Sequence, residues 1–185
     1  MPPRKQIEKA AILNQAFEIA RKKGFETITA RSLAASMNCS TQPIYQAFVD
    51  MKTLEKEVAG KSFEFMLDQI YAAVDADPLP QDLGFALEYI RFALEETHLF
   101  RLIAQNGLFA CCEETGDDQV PRMDPKLIIF ANGVVFMTAF QPLHWSWEEI
   151  RFIVMEAYYD FYKGNNDKSV SLPPSMHTRK EPLLG

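Results

Sequence analysis

The stretch TARSLAASMNCSTQPIYQAFVDMKTL, residues 29 to 54, constrains the fold more than any other, because two short helical patterns meet in it at a tight polar corner. Thr29 stands where an N-cap belongs, and Ala30, Leu33, Ala34 and Met37 follow at helical spacing with one small apolar face. Asn38 ends that helix, since Asn is second to Gly in tolerating the left-handed conformation of a helix C-terminus, and Cys39 is small enough to be buried in the corner. Ser40 is then placed to cap a second helix, with Pro43 in its first turn, where a missing amide proton costs nothing. Ile44 and Phe48, four apart, can face the core, which leaves Thr41, Gln42, Tyr45 and Gln46 for the outer face.

This is the outline of a helix-turn-helix, a module whose second helix enters the major groove of DNA. The outer face has suitable chemistry. A Gln amide pairs with the adenine edge, Thr contacts a base or a thymine methyl, and a Tyr hydroxyl or helix N-terminal amides hold a phosphate.

These residues resemble the N-terminal domain of the TetR family of bacterial transcriptional regulators. That pattern runs Thr-x-Arg-x-Ile/Leu-Ala, a turn with Gly or its equivalent, a small apolar residue and Ser, then Leu/Ile-Tyr-x-x-Phe and a Leu six residues on. Thr29, Arg31, Leu33, Ala34, Ser40, Ile44, Tyr45, Phe48 and Leu54 stand at those positions, and residues 12 to 29 resemble the family's first helix followed by Gly24 and Phe25. The match covers residues 7 to 60, about a third of the chain. The resemblance implies that Tyr45 contacts a phosphate, that Ser40, Thr41, Gln42 and Gln46 face bases, and that Thr29, Arg31 and Lys52 complete the DNA-binding set. Three positions depart from the pattern: Met51 replaces a customary Lys, with Lys52 beside it, Asn38 replaces the turn Gly, and Gln42-Pro43 replaces a frequent Gly-Thr pair.

Charge is divided along the chain. Residues 1 to 60 carry nine Lys and Arg against six Asp and Glu, a net of +3, so the remainder carries −9 of the total of −6. Phosphate binding needs local positive potential, and an acidic remainder discourages nonspecific adhesion elsewhere. With 48% hydrophobic and 24% charged residues, the chain reads as an ordinary globular protein able to bury a core. The first residues, MPPRKQIEK, lack an apolar stretch behind their basic residues, so no signal peptide is expected. Residues 127 to 140, the longest apolar segment, are interrupted by Asn132, Gly133 and Thr138 and fall short of the ~20 residues a bilayer requires. No membrane association and a cytoplasmic location are expected. The three cysteines, with Cys111 and Cys112 adjacent, suit neither a zinc site nor a disulfide framework. No cofactor or metal is expected.

Beyond residue 50 the pattern is helical throughout, with Pro and Gly at the breaks, which predicts an all-α chain: a helix-turn-helix domain at 1–50, a helical effector-binding and dimerisation domain at 51–163, and a flexible tail at 164–185. Met51 to Val74 reads as one helix with Leu54, Val58, Phe65, Met66 and Ile70 inward, Asp82 as the cap of a helix over Leu83 to Thr97, and His98 to Cys111 as the next. The last two helices span 125–143 and 147–163, the second capped by a box of Ser146 and Glu149. In it Ile150, Ile153, Val154, Ala157 and Phe161 form one face, and Phe152, Met155, Tyr159 and Tyr162 another. A helix with two apolar faces has more to bury than its own core requires, which predicts homodimerisation through Ile129, Phe136, Phe152, Val154, Met155, Tyr159 and Tyr162. TetR-like proteins also pair through a four-helix bundle.

The resemblance implies a small effector in the second domain. An apolar pocket is expected from Phe92, Phe136 and Phe140, among other aromatics, with His98, Asn106, Asn132 and His144 as polar handles. The chain has no GxSxG, phosphate-binding Gly loop, HExxH or nucleotide fingerprint, so an enzyme is not expected. The combined expectation is a homodimeric repressor that holds a palindromic operator in double-stranded DNA and is released by a largely apolar small molecule. The alternative is a TetR-like interaction protein that has lost operator binding, a reading that Met51 and the modest basic patch keep open.

Overall fold

Helix and corner positions follow closely from where the chain can bury its apolar residues. A computed structural model describes residues 7–107, 125–140 and 145–162, and among these there are eight α-helices, one 3-10 turn and no strand. The helices are α1 (Lys9–Lys23), α2 (Ala30–Ser36), α3 (Gln42–Ala47), α4 (Met51–Val74), α5 (Gln81–Glu95), α6 (Thr97–Gln105), α7 (Pro125–Phe140) and α8 (Trp147–Tyr162). Phe25–Thr27 form the 3-10 turn.

Gly24 ends α1 at φ 84, where a side chain would meet the Glu26 carboxylate as well as backbone strain. The last turn of α1 holds Arg21, Lys22 and Lys23, which complement the negative end of the helix. Asp50 starts α4 by accepting from the Thr53 amide at 2.7 Å. The chain then runs unbroken through half-buried Gly60 to Val74. Helix α4 packs against α1, α5 and α6, and α5 packs in turn against α7. One hydrophobic cluster joins Ile12, Leu33 and Ile44 near the N-terminus to Leu83, Leu99, Leu127 and Val154 further on. Among the described residues no helix is long and apolar enough to cross a membrane.

Several boundaries differ from expectation. The fifth helix starts at Gln81, so Asp82 lies inside its first turn; its carboxylate accepts from the Leu83 amide at 3.0 Å and from the Tyr158 hydroxyl at 2.9 Å, tying α5 to α8. Thr97 belongs to α6, because Glu96 breaks the helical path at φ −109, ψ 47. That helix ends at Gln105, and residues 108–124, with Cys111 and Cys112, lie outside the described residues, as do Lys163 and the expected tail at 164–185. Ser146 and Glu149 form the capping box, with the Ser146 amide donating to Glu149 Oε2 at 2.8 Å and the Glu149 amide donating to Ser146 Oγ at 3.3 Å.

Tyr89 braces α5 against α7: its hydroxyl donates to Asn132 Oδ1 at 2.9 Å and its ring meets Phe100 edge-on at 5.4 Å. Burial pushes its hydroxyl from 10 up to about 12. The folded chain therefore keeps a proton that the unfolded chain releases between those values, and this contribution is intact below pH 10 and lost as pH rises toward about 12. At most ~2–3 kcal/mol is involved. Urea unfolding at mildly and strongly alkaline pH should show a loss that shrinks in Tyr89→Phe; an equal loss in both proteins would contradict this origin.

Candidate nucleic-acid interface

The corner between α2 and α3 is built from local chemistry. The Ser32 amide donates to Thr29 Oγ1 at 3.0 Å while the Thr29 amide donates to Ser32 Oγ at 2.9 Å, so a reciprocal box fixes the start of α2. Asn38 then adopts φ 52, the one non-glycine positive φ among the described residues. The Cys39 amide donates back to the Ala34 carbonyl at 3.0 Å and turns the chain toward α3. Ser40 does not cap that helix: α3 begins after Thr41 with no side-chain cap, and Pro43 in its first turn supplies the fixed φ instead. Cys39 is half-buried in the corner.

Ile44 and Phe48 are buried at 1% and 2% exposure, in the same cluster as Ile12, Leu33 and Leu54. Turning these inward leaves Ser40, Gln42, Tyr45 and Gln46 exposed and Thr41 half-buried. The outer residues divide into two sets. Ser40, Gln42 and Gln46 border a groove of about 1040 Å³ against the start of α1, whereas Thr41 and Tyr45, one helical turn apart, do not. Thr29, Arg31 and Lys52 are exposed around this helix, Thr29 already serving as the cap of α2. The Thr53 amide, then its hydroxyl, hold the Asp50 carboxyl below its usual range, which keeps the α3–α4 turn capped beside Lys52.

Lys9 was not among the sequence candidates, yet it borders the same groove as Gln42 and Gln46. Its ammonium reaches Glu57 of α4 at 2.6 Å and lies 5.1 Å from the Phe48 ring centroid. Only the packing of α1 across α4 brings it there, so no local pattern marks it. Val49 is the other addition, 88% exposed in the short link between α3 and α4.

The expected effector residues are dispersed. Phe92 borders a cleft of about 230 Å³ between α4 and α5, whereas His98 borders a different one, of about 530 Å³, between α6 and the 3-10 turn. Asn106 donates to the Leu102 carbonyl at 3.0 Å, and Asn132 is engaged with Tyr89 and with the Ile128 carbonyl. Phe136 is 55% exposed on α7. His144 and the side chain of Phe140 lie outside the described residues.

The expected dimer set divides as well. Ile129 is 72% exposed, but Val154, Met155 and Tyr159 are buried in the chain's own core and Phe152 is half-buried. The two-faced pattern of α8 is thus largely consumed by packing within the chain. The side chain of Tyr162 lies outside the described residues.

Comparison with protein-family models finds no match, and comparison with curated proteins finds none either. The corner itself is open to test. Asn38→Gly should leave stability nearly unchanged, whereas Asn38→Val should lose about 1–2 kcal/mol in denaturant unfolding, since a β-branched residue resists positive φ. Equal stability of the two variants would contradict the assigned corner.

Proposed function

We propose that the chain is a DNA-binding transcriptional regulator of the TetR type, a repressor that holds a palindromic operator as a homodimer and yields it when a small effector binds the helical body. The observation that carries this reading is the division of α3: Ile44 is sealed into the core while Gln42, Tyr45 and Gln46 are exposed on a helix that follows the left-handed corner at Asn38. A helix so held can present amides and hydroxyls to base edges and phosphates without losing its own packing. The net +3 of residues 1 to 60 supports it.

Gel retardation on the DNA beside the chain's own gene, over a range of salt, tests the reading. Tyr45→Phe should weaken binding to all sequences alike, while Gln42→Ala and Gln46→Ala should each cost about 1–3 kcal/mol on particular base pairs. Identical effects of all three on specific and random DNA would contradict these roles. Absent binding at low salt would favour an interaction module of the same shape, for which exposed Val49 offers an apolar contact.

For assembly, the supporting feature is the outer side of α7, where Ile129, Gly133, Phe136 and Met137 are exposed at helical spacing. A two-fold contact there would pair two α3 helices for a palindrome. Ile129→Asp should give monomers in sedimentation, retain the helical circular dichroism and weaken operator binding; a wild-type chain that sediments as a monomer at micromolar concentration would contradict the dimer.

A further inference from the structure

We propose that Arg21 and Glu96 form a latch that couples the position of α1, and with it the helix-turn-helix, to the corner between α5 and α6. The residues stand 75 apart in sequence. Arg21 Nε lies 2.9 Å from both carboxylate oxygens of Glu96, and Nη2 donates to Oε1 as well. The guanidinium also covers the Phe65 ring, 4.8 Å from its centroid. Phe65 in turn meets Phe17 of α1 edge-on at 5.5 Å and Phe92 of α5 at 6.2 Å. One planar cation thus closes an aromatic cluster that joins α1, α4 and α5.

The place of Glu96 makes this more than a brace. It is the single residue between α5 and α6: its amide donates to the Phe92 carbonyl at 2.8 Å to end one helix, and its carbonyl accepts from the Phe100 amide at 2.9 Å to begin the next. A change in the angle between those helices must therefore turn the Glu96 carboxylate. Forked guanidinium–carboxylate pairing is sensitive to direction and tolerates little such rotation. With side-chain exposures of 37% and 19%, the pair is partly shielded from water, so it can transmit the change instead of dissolving into solvent screening. Among the described residues, α1 is also linked to α4 by an exposed Lys9–Glu57 pair, by the Lys61 ammonium 5.4 Å from the Phe17 ring centroid and by apolar packing, none of which has the directionality of a forked pair.

Amide hydrogen exchange on the full chain tests the coupling from both ends. Arg21→Gln should speed exchange in residues 92–100, and Glu96→Gln should speed it in residues 16–23, each by about threefold or more, with α7 unchanged. Arg21→Lys, which keeps the charge and the fold but loses the fork, should act like Arg21→Gln, and the exchange Arg21→Glu with Glu96→Arg should restore both regions to within about twofold. Acceleration confined to the mutated element, or no acceleration, would overturn the latch. Its consequence for DNA rests on the function proposed above: Glu96→Gln should weaken operator binding about fivefold or more with the same salt slope, because Glu96 takes no phosphate. Unchanged or tighter binding alongside two-sided exchange would overturn that consequence. If wild type bound no DNA, the proposed function would fail while the exchange result still decided the latch.

Discussion

Helices of seven and six residues, the lengths of α2 and α3, do not persist alone in water, where segments shorter than about 12–15 residues are marginal. They exist because Leu33 and Ile44 are closed into one seam with Ile12, Phe48 and Leu54. Each fully buried side chain of this size contributes roughly 1.5–3 kcal/mol, whereas a cap such as Thr29 is worth about 1 kcal/mol. Burial therefore decides that the two helices form, and the cap and the Asn38 corner decide where they stop.

The same seam determines what faces outward. Once Ile44 and Phe48 point inward, the periodicity of α3 leaves Gln42, Tyr45 and Gln46 exposed. The seam also reaches Leu54 and Val58 of α4, so the first three helices share their core with a helix that runs on to Val74. Contacts of α1 with α4 and α6 reinforce this continuity. Movement of the helix-turn-helix against the remaining helices must then be a tilt of packed helices, for which the chain provides no flexible linker between α3 and α4.

Much of the fold was legible in the sequence because its signals were local. Thr29, Asn38, Pro43, the Ser146–Glu149 box and the unbroken run from Met51 to Val74 are read from neighbours within one or two helical turns. Signals that depend on distant partners were not legible. Asp82 reads as a cap from its neighbours, yet its second hydrogen bond comes from Tyr158, 76 residues away. Two apolar faces on α8 read as an intermolecular surface, although Val154, Met155 and Tyr159 are covered within the chain. Lys9 and Arg21 carry no local signal of Glu57 and Glu96, the partners that packing brings to them.

On the proposed function, α3 is held in order to be presented to a duplex. Genomic DNA fragments retained by the purified chain, sequenced and compared with the input pool, test it most directly. Enrichment is expected of a two-fold symmetric sequence whose half-sites lie about one helical turn, roughly 10 base pairs, or a multiple of it apart. Retained fragments that share no sequence beyond that of the input would contradict it.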